Sequence, residues 1–153
     1  MKKIIIAAIL FSSCSSQQGD SSKQAAEQIK TADLAMSDLA AKIGFRQALL
    51  QYADDSLIIP REGKLPMIGK ASVEKEWAKK DTIKEVIWKP MRAEASQSGE
   101  MGYSFGYAIW QWKDTTTYSN YCTVWKKQKD GSWKFVYDGG NNIPAPADTT
   151  FFK

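Results

Sequence analysis

The sequence contains no histidine, and this absence removes a residue on which several kinds of catalytic site depend. A serine–histidine–aspartate triad and a cysteine–histidine dyad both need an imidazole base. Histidine is also the commonest protein ligand of metal ions. We therefore exclude hydrolysis by those routes, and we predict no metal site and no cofactor.

Cysteine is scarce, with Cys14 and Cys122 as the two present. Cys122 falls within an apolar and aromatic segment, where a free thiol usually behaves as a small hydrophobic side chain. Cys14 has a different predicted role, described below. We predict that the two do not form a disulfide.

The chain also lacks a strong excess of one charge, since 21 basic residues face 17 acidic ones. The formal net charge of +4 falls by two, to +2, without Lys2 and Lys3. Apart from the short run at Lys126, Lys127 and Lys129, basic and acidic side chains are interspersed. This balance argues against a nucleic-acid partner.

A hydrophobic run long enough to span a bilayer is missing as well. The N-terminal apolar run, Ile4 to Phe11, has 8 residues, whereas a membrane-spanning helix needs roughly 20. It follows Lys2 and Lys3 and precedes Ser12 and Ser13. This order predicts a signal peptide over residues 1–13, with a buried N-terminal helix as the alternative.

Residues Leu10 to Cys14 resemble a bacterial lipobox, in which the cysteine sulfur receives a diacylglycerol before cleavage. The resemblance implies lipidation of Cys14 and anchoring to a membrane of the bacterial envelope, and Ser15 after it is compatible with an outer-membrane anchor facing the periplasm. An ordinary secretory signal with an incidental cysteine is the alternative. Residues 14–24 have no large apolar side chain to bury, so we expect a flexible tether there.

Periodicity divides residues 25–144 into a helical half and a strand half, followed by a tail at residues 145–153. Apolar spacing predicts a helix through Ile43, a second from Phe45 to Tyr52, and a third opening at Gly69. Four long strands are predicted, at residues 86–96, 102–112, 118–129 and 133–138. Helices followed by an antiparallel meander indicate an α+β domain.

Two segments of the strand half, Gly99 to Gly106 and Tyr121 to Lys134, together with Asp138, resemble the nuclear transport factor 2-like superfamily. The resemblance is narrower to its SnoaL-like branch, domain of unknown function 4440. It implies a cone-shaped, cystatin-like curved sheet wrapped around a long helix, with a pocket between them. Ketosteroid isomerases and polyketide cyclases use that pocket for catalysis, while other members bind ligands or assemble.

Individual residues can be placed in this scheme. Gly102 and Gly106 are expected where a bent strand passes close to a helix, and Trp125 and Trp133 in the core. The catalytic residues stay unknown, since a strand-end role for Asp138 and a turn role for Asp54 and Asp55 are the simpler interpretations. The candidate pocket residues are Tyr52, Asp55, Trp88, Tyr103, Tyr107 and Asp138.

Three functions remain open from the sequence. The first is binding of a small, mostly apolar molecule in an aromatic-lined pocket, which six each of Trp, Tyr and Phe favour. The second is acid/base catalysis of the isomerase or cyclase type, which would require a carboxyl group with a raised pKa in the pocket. The third is an interaction module that forms a homodimer.

Overall fold

The computed structural model describes residues 15–78 and 83–152, with side chains from residue 21 onward except that of residue 151. Three helices and six strands make up the fold. In chain order they are α1 (Ser15–Ile43), α2 (Phe45–Tyr52), β1 (Ala53–Arg61), β2 (Lys64–Ile68), α3 (Lys70–Trp77), β3 (Val86–Ala95), β4 (Met101–Gln111), β5 (Thr116–Lys127) and β6 (Trp133–Ile143). A short 3-10 turn, Thr150–Phe152, follows.

The six strands form one curved sheet in the order β2-β1-β6-β5-β4-β3. All neighbours are antiparallel except β1 and β6, which run parallel. The predicted Asp130-Gly131 turn joins β5 to β6, with Gly131 at φ 84° and Asp130 Oδ1 accepting hydrogen bonds from Ser132. The predicted α+β class, with four long strands packed on N-terminal helices, is confirmed.

Helix α1 lies across one face of the sheet and closes the core. Ile29 on α1 is so close to Gly102 on β4 that a Cβ there would lie 2.5 Å from its Cδ1. Strand residues alternate between faces, so Ser104, Gly106 and Ala108 point to the same side as Gly102. The predicted core residues Trp125 and Trp133 are buried on this side, together with Phe135.

Gly106 is also a point of close approach, but to a strand and not to a helix as predicted. A Cβ at Gly106 would lie 2.1 Å from the Lys89 carbonyl oxygen and 2.9 Å from the Tyr121 hydroxyl. The pairing of β3 with β4 slips between Pro90 and Arg92, directly opposite this glycine. The bulge bends the strands into the curve that leaves room for a pocket.

Two boundaries differ from the prediction. From Ser15 onward, the segment expected to be a flexible tether belongs to α1. The hydroxyl groups of Ser21 and Ser22 donate to the carbonyl oxygens of Gln97 and Ala95. Polar side chains thus hold this part of α1 to the end of β3. Apolar periodicity does not predict such contacts, because no apolar side chain takes part in them. Strand β6 continues through Ile143, five residues beyond its predicted end, because its backbone keeps pairing with β5.

The predicted signal peptide and Cys14 lie outside the described residues. Within residues 15–78 and 83–152, no helix has both the length and the apolar character to cross a bilayer. Cys122 is a free thiol and half-buried, and burial raises its pKa.

Candidate functional site

A cavity of about 290 Å³ opens between the three helices and the inner face of the sheet. Ligand pockets in proteins are mostly apolar, with a few polar groups that fix orientation, and this one has that composition. Its aromatic walls come from α2, α3, β3, β4 and β5. They are Phe45, Trp77, Trp88, Trp110 and Tyr121.

Three of these rings, those of Phe45, Trp88 and Trp110, are held in place by contacts with other rings. Phe45 packs edge-on against Trp88 and against Trp110, with centroids 5.8 and 5.2 Å apart. Trp110 in turn stacks on Trp112, with 5.9 Å between centroids. Such pairs add stabilisation beyond the area they bury, so the aromatic wall is preformed.

Asp138 on β6 is the one ionisable carboxyl group among the described lining residues. Its Oδ1 accepts a hydrogen bond from Thr123 Oγ1, 2.6 Å away on the neighbouring strand. Desolvation raises the pKa of Asp138 to about 6, and the negative charge of Asp33 adds to the rise, while the Thr123 hydrogen bond opposes it. The group therefore changes its charge near neutral pH.

A second carboxyl group, Asp33 on α1, lies behind the pocket wall and is fully buried. Its Oδ1 accepts from Trp88 Nε1 at 2.7 Å, and its Oδ2 accepts from the Tyr121 hydroxyl at 3.0 Å. The Ser104 hydroxyl is a third partner, and it accepts in turn from Trp125 Nε1 at 2.9 Å. Burial raises the pKa of Asp33, and the three hydrogen bonds oppose the rise.

Tyr121 connects the two carboxyl groups. Its ring lines the pocket, its hydroxyl donates to Asp33, and it stands two residues from Thr123 on the same face of β5. Desolvation, with the charges of Asp33 and then Asp138, raises its pKa far above the ordinary value. Tyr121 therefore stays a neutral phenol whose proton points to Asp33.

Of the six candidate pocket residues, Trp88 and Asp138 line the cavity. Asp138 lies within β6 and not at its end, which corrects the simpler interpretation of it as a strand-end residue. Tyr103 and Tyr107 are at odd positions of β4, so they face away from the helices, and the Tyr103 hydroxyl donates to Glu94 instead. The number of tyrosines in a strand does not show which face of the strand they occupy.

The other two candidates are also elsewhere. Tyr52 lies in a separate surface groove beside α1, with its ring edge-on to Trp125. Asp55 is exposed on β1. Its neighbour Asp54 also lies in β1 and not in the predicted turn. Asp54 accepts from the backbone and hydroxyl of Ser56, which lowers its pKa.

Sequence reasoning missed Asp33, although a signal for it exists. The buried positions of α1 include Ile29, Asp33, Met36 and Ala40, a spacing of four, three and four residues that forms one helical stripe. An acid in the middle of an apolar stripe needs buried donors, so this pattern could have identified it. Leu34, the apolar residue next to Asp33 in the sequence, is instead 38% exposed.

No set of three or more metal-ligating side chains comes together in residues 15–78 and 83–152. The arrangement can hold an apolar molecule against a carboxyl group whose charge is controlled by burial. It can also move a proton to or from Asp138 near neutral pH.

Solved structures share this architecture. A putative ketosteroid isomerase from Parabacteroides distasonis aligns with a TM-score of 0.64 at 13% identity, over 80% of this chain and 92% of that one. A nuclear transport factor 2-like protein with a cystatin-like fold, from Novosphingobium aromaticivorans, gives 0.56 at 13% identity, over 82% and 86%. The fold is nuclear transport factor 2-like.

A putative scytalone dehydratase from Novosphingobium aromaticivorans shares the fold too, with a TM-score of 0.62 at 13% identity, over 82% of this chain and 89% of that one. No family model and no curated protein matches the sequence. Nuclear transport factor 2-like proteins of this shape thus include ones described as isomerases and dehydratases, while identity this low shows the fold alone.

Proposed function

We propose that this chain binds a small, mostly apolar molecule in the pocket between α1 and the sheet. The observation that carries the proposal is a preformed cavity of about 290 Å³ with five aromatic walls and one carboxyl group, Asp138. Apolar walls supply affinity through burial, and a single polar group fixes orientation.

Native mass spectrometry on the full chain, purified from its own host in a mild detergent, tests this proposal. We expect an added mass that denaturation releases, and extraction then identifies the compound. Ala108→Phe, which puts a ring into the pocket wall, should abolish the added mass, whereas Ala35→Phe on the exposed side of α1 should keep it. An added mass unchanged by Ala108→Phe would place the ligand elsewhere and contradict the proposal.

A second function is favoured by the state of Asp138. A general base works best when its pKa lies near the operating pH, and burial brings that of Asp138 to about 6. Structures of the same fold are described as a putative ketosteroid isomerase and a putative scytalone dehydratase, which is compatible with this alternative. In this alternative, Asp138 takes a proton from a carbon or hydroxyl group of the bound molecule.

The two functions differ in what happens to the ligand. Once the compound is identified, exchange of its hydrogens with deuterated water is followed by NMR with and without protein. Exchange that depends on Asp138, and that Asp138→Asn abolishes without loss of binding, supports the base. Tight binding without exchange or conversion supports binding alone.

We further propose that a lipid on Cys14 anchors the protein to the outer membrane with its domain in the periplasm. Acyl chains add about 0.8 kcal/mol per buried methylene, and several chains together hold a protein firmly. Cys14→Ser should move the protein from the membrane fraction to the soluble periplasm, while Cys122→Ser should leave it on the membrane. Equal fractionation of the two variants would contradict lipidation.

A further inference from the structure

Several hydrogen-bond donors of the pocket lining are already engaged within the protein. Four donors of the lining point inward to protein acceptors. Trp88 Nε1 and the Tyr121 hydroxyl donate to Asp33, Trp110 Nε1 donates to Ser119 Oγ at 3.0 Å, and the Thr123 hydroxyl donates to Asp138. Trp77, Ser119, Asn120 and Asn142 also line the cavity and carry donor groups, so a ligand can meet donors as well as acceptors.

Acceptor capacity is left over at the same place. Asp138 Oδ1 takes the Thr123 hydrogen bond, and no other described residue donates to the carboxyl group, so Oδ2 is available on the pocket side. The Tyr121 oxygen, which uses its proton on Asp33, also keeps a lone pair. The Asp138 carboxyl group can thus accept a hydrogen bond from a ligand.

The described charged groups around the cavity are acidic and not basic. No lysine or arginine lines the cavity within the described parts of the chain. The carboxyl groups of Asp138 in the wall and Asp33 behind it have no basic side chain among their hydrogen-bond partners in the described residues. The faces of aromatic rings attract cations, so an aromatic lining is better suited to a cation than to an anion. The site repels a carboxylate or phosphate ligand.

We propose that the ligand of this pocket is an organic cation, a protonated amine on a ring or short apolar body, with its ammonium group against Asp138. This inference rests on the proposed binding function and specifies its ligand class. The ammonium donates to the open Asp138 oxygen, and the apolar body packs among Phe45, Trp88 and Trp110.

Three probes of one shape and different charge test this inference on the full chain in a non-ionic detergent. Benzylamine, benzyl alcohol and benzoate are titrated by calorimetry near pH 8, where Asp138 and the amine are both charged. We expect benzylamine to bind at least about tenfold more tightly than benzyl alcohol, since hydrogen bonds to charged groups are the stronger ones. Benzoate should not bind measurably.

Variants separate the charge from the shape. Asp138→Asn keeps the size of the side chain, and we expect it to remove the preference for benzylamine over benzyl alcohol while the alcohol affinity stays within about twofold. Asp38→Asn, which removes the same charge at an exposed position of α1, should leave the preference intact. Near-ultraviolet circular dichroism checks that each variant keeps its aromatic packing.

The unmutated protein gives an independent measurement. Lowering the pH through about 6 protonates Asp138, so benzylamine affinity should fall while that of benzyl alcohol stays nearly constant. Asp33 on α1, and Tyr121 and Cys122 on β5, are the other titratable groups coupled to Asp138. The pKa values of Tyr121 and Cys122 are both raised, so both side chains stay neutral over this pH range.

Equal affinity for benzylamine and benzyl alcohol, unchanged by Asp138→Asn, would overturn the cation inference and leave the binding function in place. Preference for benzoate would overturn it as well. Failure of benzylamine to bind at about 10 mM would also overturn the cation inference, while the binding function is decided separately by the added mass in native mass spectrometry.

Discussion

Asp33 and Asp138 lie on different elements, a helix and a strand, yet they share one electrostatic environment. The charge of Asp33 is one cause of the raised pKa of Asp138, and both carboxyl groups act on Tyr121. The hydrogen bonds of Asp33 fix the side chains of Trp88 and Tyr121, which are pocket walls. A residue with no surface exposure thereby shapes the site.

Removing the Tyr121 hydroxyl tests this connection. Tyr121→Phe takes one donor from a buried carboxyl group, and hydrogen bonds to charged groups contribute about 1.5–3 kcal/mol. We expect the free energy of unfolding, measured by urea denaturation near pH 7, to fall by that amount. Tyr118→Phe, at a half-buried tyrosine on the same strand, is the control and should cost less than about 1 kcal/mol. Equal losses would contradict the role given to Tyr121.

The sequence could predict part of this site, but not all of it. Trp88 and Asp138 were within reach because one is a large aromatic residue in a strand and the other an acid in a motif. Tyr103 and Tyr107 are outside the lining of this cavity, because the face of β4 that meets the helices depends on register, which the sequence alone does not fix. Asp33 accepts hydrogen bonds from Trp88 and Tyr121, which lie 55 and 88 positions further along the chain. These contacts arise from tertiary packing, so local periodicity does not predict them.

At the scale of elements, the bend in β3 and β4 gives the sheet its pocket. Gly102 and Gly106 allow β3 to pass close to β4, since a Cβ at either would lie under 2.5 Å from a carbonyl oxygen of β3. The slip in pairing between Pro90 and Arg92 lies directly opposite Gly106. Glycine is needed here for space and not for an unusual backbone angle.

Gly106→Ala tests the steric requirement. The added methyl group meets backbone atoms that cannot rotate away, so we expect about 3 kcal/mol loss of unfolding free energy, measured by urea denaturation. Gly63→Ala provides the comparison, because Gly63 has φ 65° and a methyl group there would have no atom of the described residues within 4 Å. Its cost should be about 1 kcal/mol, from backbone strain alone. A smaller loss for Gly106→Ala than for Gly63→Ala would contradict close approach as the reason for this glycine.

Strands and turns were the most predictable elements. Alternating apolar residues and the Asp130-Gly131 pair predict both ends of β5, the connection and the start of β6 to within about two residues. The start of α1 was missed because Ser21 and Ser22 bind the sheet through hydroxyl groups, and such contacts leave no apolar pattern. Polar anchoring of this kind becomes visible in the folded chain.

At the scale of the whole molecule, the desolvated Asp138 makes stability depend on pH. Its pKa is raised in the folded state to about 6 from an ordinary 3.8, so the folded chain holds a proton that the unfolded chain loses. Stability from this group is therefore present at low pH and falls as the pH rises from about 4 to about 6. The difference of roughly two pKa units corresponds to about 3 kcal/mol.

Asp138→Asn isolates this contribution from the other titrating groups. The amide oxygen can still accept from Thr123, and no charge is desolvated, so the variant should be more stable than the unmutated chain by up to about 3 kcal/mol at pH 8. The advantage should shrink toward zero near pH 4, as measured by urea denaturation at each pH. An advantage that stays constant with pH would contradict a desolvated, titrating carboxyl group.

The proposals for ligand and catalysis both depend on one physical state, an Asp138 carboxyl group facing an apolar cavity. Carbon-13 NMR of the labelled aspartate carboxyl groups, followed from pH 3 to pH 8 and assigned with Asp138→Asn, measures that state directly. We predict a titration midpoint near 6 for Asp138. A midpoint at or below about 4, the ordinary value of a hydrated aspartate, would show that water solvates this carboxyl group and would contradict the pocket described above.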